Sequence, residues 1–185
     1  IPNFIDERPL PADDATQFPT TKGDAGSILM AAGRLHRNKG FDVLIEALSA
    51  VPSTTLWLAG EGPERTHLAQ LAQRLGVRDR VEFLGWQDDL RPYLRRADVF
   101  VCSSRIEPLG NVVLEAWRQG CPLVAARAAG PRELITDGRT GSLCDLEDAA
   151  GMARAITQLL GSTTQRQHYS AAGQEAYAAG FARAQ

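Results

Sequence analysis

With 185 residues, 44% of them hydrophobic and 23% charged, the chain is long enough for one domain with a sizeable core and too short for two comfortable ones. Its net charge of −2 gives no electrostatic basis for binding nucleic acid or an anionic membrane surface. No apolar run approaches the roughly 20 residues needed to span a bilayer, and no signal-peptide pattern opens the sequence, so a cytoplasmic setting is expected. The three cysteines, Cys102, Cys121 and Cys144, lack metal-ligand spacing and sit in or beside apolar strands. They read as small buried thiols in a reducing compartment.

In chain order, "IPNFIDERPLP" starts inside what looks like the end of a strand, and the sequence is expected to begin mid-protein. Residues 11 to 26 hold prolines, glycines and small polar residues, a surface-loop composition, so 1–26 is taken as a linker segment. Short apolar runs then alternate with amphipathic stretches. The expected strands are "SILMAAG", "TLWLAG", "VEFLG", "DVFVCSS", "PLVAA" and "GSLC". Helices are expected at 39–50, 63–75, 88–96, 110–119 and 130–136. "DLEDAAGMARAITQLLG" predicts a further helix with acidic residues at its start, and the alanine-rich tail from Ser162 to Ala179 predicts another. The pattern is that of an α/β fold: a Rossmann-like, doubly wound parallel sheet of about six strands with helices on both faces. Its core domain is placed at 27–160, with a helical tail over 161–185.

A sheet of this kind binds ligands at the carboxyl ends of its strands, in the loops that lead into helices. Four such loops carry the chemistry: "GRLHRNKG", "GEGPE", "FLGWQDD" and "SSRIEPLGN". In the last, Pro108 and Gly110 are poor interior helix residues and Asn111 can cap the helix that follows. The first amides of that helix are unpaired and partially positive, a site suited to phosphate. Gly110 would let a ligand approach the backbone without meeting a side chain. Glu115 lies one turn into the helix and leans toward its start, while Glu107 approaches from the loop. Two carboxylates flanking a phosphate suit the hydroxyls of a nucleotide sugar, ribose at one end and hexose at the other.

Arg34 and Lys39, five apart after the first strand, are placed to approach a diphosphate together, and Arg37 is an equal candidate on spacing alone. Gly60 in "AGEGPE" permits either backbone contact or a tight turn. Gly85 and Trp86 offer backbone or an indole to a planar base. Asp88 and Asp89 are expected to cap the next helix rather than hold a metal. His36, His67 and His168 have no catalytic partner nearby in sequence. A glycosidase built on two carboxylates is conceivable, but the phosphate-ready helix start argues against it.

Together "GRLHRNKG", "GEGPE", "VEFLGW" and "EPLGNVVLEAWRQGCPLVAARAAGPRELITDGRTG" resemble the C-terminal domain of the family-4 retaining glycosyltransferases of the GT-B fold. The resemblance runs from about Ile1 to about Leu160, and the two glutamates with seven residues between them are its most specific part. It implies a domain that binds a nucleoside-diphosphate sugar, transfers hexose with retention, and needs no metal or other cofactor. Arg34 and Lys39 would contact the diphosphate beside Gly33, and Gly60 would lie in the same donor site. The backbone of Gly110, Asn111 and Val112 would meet phosphate and sugar oxygens. Glu107 would hold the hexose, Glu115 the ribose, and the strand end from Phe83 to Trp86 would lie near the base. Leu109, within the donor loop, stands where many relatives have phenylalanine. The resemblance also implies an N-terminal domain that binds an acceptor saccharide or lipid-linked saccharide, without which this half would bind donor weakly and transfer poorly. In relatives the tail helix returns to that domain, so here it is expected to fray or dock elsewhere. A nucleotide-sugar epimerase and a non-catalytic nucleotide-sugar module are the alternatives.

Overall fold

The computed structural model describes residues 18, 19 and 26–181, so most of the linker expected over 1–26 lies outside the described residues. Six parallel strands form one sheet: β1 (Ser27–Ala32), β2 (Thr54–Ala59), β3 (Val81–Gly85), β4 (Val99–Cys102), β5 (Leu123–Ala126) and β6 (Ser142–Cys144). Their spatial order is β3-β2-β1-β4-β5-β6. The chain therefore winds outward in one direction from β1 to β3, then crosses back to β4 and winds the other way. All six expected strands are present, each within a residue or two of its expected ends.

The helices are α1 (Phe41–Ser49), α2 (Arg65–Arg74), α3 (Arg91–Arg96), α4 (Asn111–Arg118), α5 (Ala129–Leu134), α6 (Ala149–Leu160) and α7 (Thr163–Gly180). Side chains alternate across the pleat. Leu29, Ala31, Leu56, Leu58, Val99, Val101 and Val124 pack on one face with α1, α2 and α6. Met30, Trp57, Ala59, Phe100, Leu123 and Ala125 pack on the other with α3 and α4. Burial on both faces is why the strands read as continuous apolar runs. Helix α1 shows the matching helical spacing: Phe41, Leu44, Ile45 and Leu48 are all buried. Each such side chain contributes about 1.5–3 kcal/mol.

Capping follows the sequence in part. The Asp148 carboxylate accepts the Gly151 amide at the start of α6, and the Ser162 hydroxyl accepts that of Gln165 at the start of α7. Of the two outcomes expected for the tail, helix α7 shows docking, against this domain itself. Tyr169, 2% exposed, reaches the core and its hydroxyl lies 3.1 Å from Ser142 Oγ. Gly173 sits against the Trp117 ring of α4. The reason is steric: glycine at the crossing lets α7 approach a buried tryptophan closely. The three cysteines are free and buried. Burial pushes the Cys121 thiol up to about 12 and Cys144 up to about 11. Among the described residues no helix is long and apolar enough to cross a membrane.

Candidate functional site

The reversal of winding between β1 and β4 leaves a crevice at the carboxyl edge of the sheet. A cleft of about 190 Å³ opens there, lined by Ala32, Gly33, Arg34, Ala59, Gly60, Trp86, Gln87, Leu90, Val112 and Glu115. Backbone bonds hold its floor. Gly33 N–H donates to Ala59 O (3.0 Å) and Gly60 N–H to Gly85 O (2.7 Å), extending the sheet by one step past the strand ends. Gly60 has φ +132°, and a Cβ there would lie 1.9 Å from Gly33 O, so only glycine permits this approach. A Cβ on Gly33 would lie 3.2 Å from Lys39 Cε, so that glycine leaves room for the lysine stem.

Lys39 ends a 3-10 turn over Arg37–Lys39, and its Nζ donates to Glu107 Oε2 at 2.6 Å across 68 residues of sequence. The two loops are joined by further bonds. Ser103 Oγ donates to Lys39 O (2.9 Å), and the amides of Arg105 and Ile106 both donate to Asn38 O. Glu107 is only 8% exposed, and its carbonyl accepts the Gly130 amide at 2.7 Å. Ser104 Oγ lies 3.5 Å from the same Oε2, a weak contact.

Helix α4 begins differently from the sequence expectation. Gly110, at φ +66°, is the residue that caps it, with no side-chain bond, and Asn111 is its first helical residue. The glycine is required by its left-handed backbone, which leaves Asn111 no capping role. Nor does Gly110 hold space open for a ligand: a Cβ would strike Leu134 Cδ1 at 2.7 Å and approach Gly130 C at 3.2 Å, so that side of the residue is filled by α5. The amides of Asn111 and Val112 have no partner among the described residues, and they remain the anion-attracting end of the helix.

Glu115, one turn in, is half-buried and lines the cleft. Burial raises its carboxyl above the usual range, the Glu107 charge raises it further, and Lys39 opposes both. The two acids and the lysine thus share one electrostatic neighbourhood. Arg34 lines the cleft and is exposed, with no ion pair among the described residues. Arg37, its equal on spacing, is outside the lining and lends its carbonyl to Arg105.

The remaining expected positions divide. Trp86 lies on the rim, 73% exposed, with its indole N–H donated to Asp88 Oδ1 at 2.8 Å. Asp88 therefore orients the indole instead of capping, whereas Asp89 accepts the Arg91 amide at the start of α3. Leu109 is 62% exposed and outside the lining. The Phe83 side chain points away from the cleft, its ring beneath the guanidinium groups of Arg65 and Arg78 at 5.4 and 5.5 Å. Strand alternation dictates this, since Phe83 shares the face of Val81, which packs toward α1 and α2. The sequence reading missed Ala32, Ala59, Gln87 and Leu90. The first two had a signal: "AAG" and "LAG" each end a strand with a small residue before glycine, leaving a hollow.

The family model described as "Glycosyl transferases group 1" matches residues 26–162. The lipopolysaccharide core biosynthesis glycosyltransferase LpsE of Rhizobium meliloti (strain 1021) is 45% identical over 183 residues, 99% of this chain and 53% of that protein. The crystal structure of Anabaena HepE in complex with UDP and glucose superposes with a TM-score of 0.81 at 30% identity, over 84% of this chain and 44% of that one. The C-terminal domain of the Francisella tularensis group 1 glycosyltransferase LpcC shares the fold, with a TM-score of 0.77 at 24% identity over 84% of this chain and 86% of that one. The chain spans about half the length of the curated relatives LpsE and LpsD of Rhizobium meliloti that it matches. By the family model, which covers most of it, the chain belongs to the group 1 glycosyltransferases, as a domain of the GT-B fold.

Proposed function

We propose that this domain binds the nucleoside-diphosphate sugar donor of a retaining hexosyltransferase. One observation carries the reading. Arg34, Glu115 and the open end of α4 meet in one cleft, and Lys39 and Glu107 are clasped within electrostatic range of Glu115. Arg34, Lys39 and the amides of Asn111 and Val112 would bind the diphosphate, Glu115 the ribose diol, and Glu107 the hexose hydroxyls. As the bond from the anomeric carbon to phosphate oxygen breaks, charge grows on the departing diphosphate, and these donors stabilise it increasingly. The acceptor oxygen forms the new glycosidic bond on the face the diphosphate leaves, and its proton passes to the departing phosphate oxygen. Protein cations supply the neutralisation, so the reading calls for no metal cofactor.

The acceptor would be held by a preceding domain. Two relatives, LpsE and LpsD, are named for lipopolysaccharide core biosynthesis, which favours an envelope saccharide acceptor. The complex of HepE with UDP favours a uridine donor first.

Titration calorimetry of the chain with UDP, GDP, ADP and their hexose conjugates tests the assignment. Glu115→Ala removes charge-assisted bonds worth about 1.5–3 kcal/mol, so affinity for every ribose ligand should fall roughly 10- to 150-fold. Glu107→Ala should weaken only the hexose conjugates, and bare UDP should bind as well or better because Lys39 loses its competitor. Equal losses for bare nucleotide in both variants would refute the roles given to the two acids.

A further inference from the structure

Arg105 stands two residues before Glu107, is half-buried, and does not line the cleft. Its guanidinium joins three separate segments. Nη1 and Nη2 fork onto the Asp42 carboxylate in the first turn of α1, at 2.7 and 2.8 Å. Nη1 also donates to Arg37 O in the turn that carries Lys39, at 2.7 Å. Nε and Nη2 engage Glu147 in the loop before α6, the latter at 2.8 Å. Glu147 adopts φ +61°, an uncommon backbone state for a residue with a side chain. Such states persist where the surroundings fix them. Burial pushes the Asp42 carboxyl up, yet the Arg105 fork and the backbone amides of Asp42 and Val43 together reverse this and hold it below the usual carboxylate range.

These bonds tie loops to the start of α1 and do not fill the core. They grip the Lys39 segment from the segment that carries Glu107, adding to the backbone bonds of Arg105 and Ile106 to Asn38 O. An arginine fork suits this task because it is planar and rigid where a lysine would be a mobile point charge. A reacting group displaced by about 1 Å can lose on the order of 100-fold in rate.

We propose that Arg105 is a positioning residue: it locks the Lys39 loop against the Glu107 loop and so sets the distance between ammonium and carboxylate, while touching neither. The inference rests on the cleft being the donor site, for the function it assigns to that distance.

The chain contains two lysines, Lys22 and Lys39, so the side-chain ammonium signal of Lys39 can be followed by NMR with lysine labelled in nitrogen-15, without any donor present. In Arg105→Met and, independently, Asp42→Asn, that signal should move toward its position in the urea-unfolded chain. Arg166→Met serves as the comparison. It removes a guanidinium bonded to Leu159 O and Leu160 O at the far end of α6, and should lower thermal stability while leaving the Lys39 signal in place. In a second arm, Arg105→Met should weaken UDP-glucose on the order of tenfold more than bare UDP, about 1.4 kcal/mol, because the hexose also needs Glu107 in register with Lys39. An unmoved Lys39 signal in both Arg105→Met and Asp42→Asn, or an equal movement in Arg166→Met, would overturn the proposal. If the native chain failed to bind UDP-glucose, the donor reading would fall, and the ammonium signal would still decide whether Arg105 positions Lys39.

Discussion

Removing the charge of Lys39 tests the energetic picture of the site most directly. Lys39→Met keeps an apolar stem of similar length above Gly33 and deletes the ammonium. Among the described residues the Glu107 carboxylate, with its side chain 9% exposed, then keeps only the weak contact of Ser104 Oγ at 3.5 Å. Breaking a fully buried pair by removing one partner costs about 3–5 kcal/mol. The Lys39 side chain is 24% exposed, so water reaches the pair and the expected loss is smaller, about 2–3 kcal/mol. Glu107→Gln should cost less, about 1 kcal/mol, because the amide oxygen still accepts and the long lysine stem can carry its charge to solvent. In the double variant neither charge is left stranded, so its cost should fall short of the sum by at least about 1 kcal/mol. Urea unfolding of the four proteins, with a common m-value, measures this cycle. Lys39→Met alone should lower Tm by about 4–12 °C, given about 2–4 °C per kcal/mol for a chain of this size. Additivity within about 0.5 kcal/mol, or a larger loss for Glu107→Gln than for Lys39→Met, would refute the reasoning.

Glu115 gives a pH signature with a definite sign. Because burial first and the Glu107 charge second raise its carboxyl, the folded chain holds more protons than the unfolded one between the ordinary carboxylate range and the raised value. Stability therefore falls as pH rises through that interval, and Glu115→Gln should stabilise the chain at neutral pH but not in acid below it, as thermal melts across pH would show. Gly173→Ala would gain about 1 kcal/mol in an unencumbered helix. Here the new Cβ meets Trp117 Cδ1 at 2.4 Å, against a ring 2% exposed whose N–H donates to Thr140 O. Overpacking of about 1–3 kcal/mol should outweigh the gain, giving a lower urea midpoint and altered tryptophan emission. Gly110→Ala combines a left-handed backbone at φ +66° with contact to Leu134 Cδ1 at 2.7 Å, and should cost about 2 kcal/mol by the same measurement.

The sheet was legible because helices cover both its faces. "SILMAAG" or "DVFVCSS" has no alternation to misread, and the Gly-rich loops punctuate the runs. The loops of the site were legible for the same reason in reverse, since polar residues and glycines at strand ends have nothing to pack. What stayed hidden depends on which residues meet across the fold. Lys39 and Glu107 read in the sequence as separate candidates for a diphosphate and a sugar, while their mutual ion pair depends on β1 and β4 being sheet neighbours. Arg105 reads as an ordinary loop cation until Asp42 and Glu147 are brought beside it. Gly110 was seen as an opening for a ligand because its neighbour α5 lies 20 residues further along the chain. At Phe83 the pleat was readable: counting from Val81 puts its ring on the α1 and α2 side, away from the cleft.

The two acids are held in different ways, and the difference bears on how the site works. Glu115 belongs to α4, whose Val113, Ala116 and Trp117 are buried in the core and whose Trp117 is backed by Gly173 of α7. Its place is set by packing on three sides, so its raised carboxyl is a penalty the helix cannot relieve by moving. Glu107 sits in a loop, and its place is set by polar bonds: Lys39 on one side, Gly130 N–H on its carbonyl, and Arg105 two residues away. On the proposed reading, a diphosphate would compete for Lys39 and would leave Glu115 in place. It would thus meet one acid fixed in advance and one whose lysine partner it must share. On that reading α4 fixes one acid by packing and the Arg105 clasp fixes the other by polar bonds, so both are preorganised and Lys39 is the group the ligand must share.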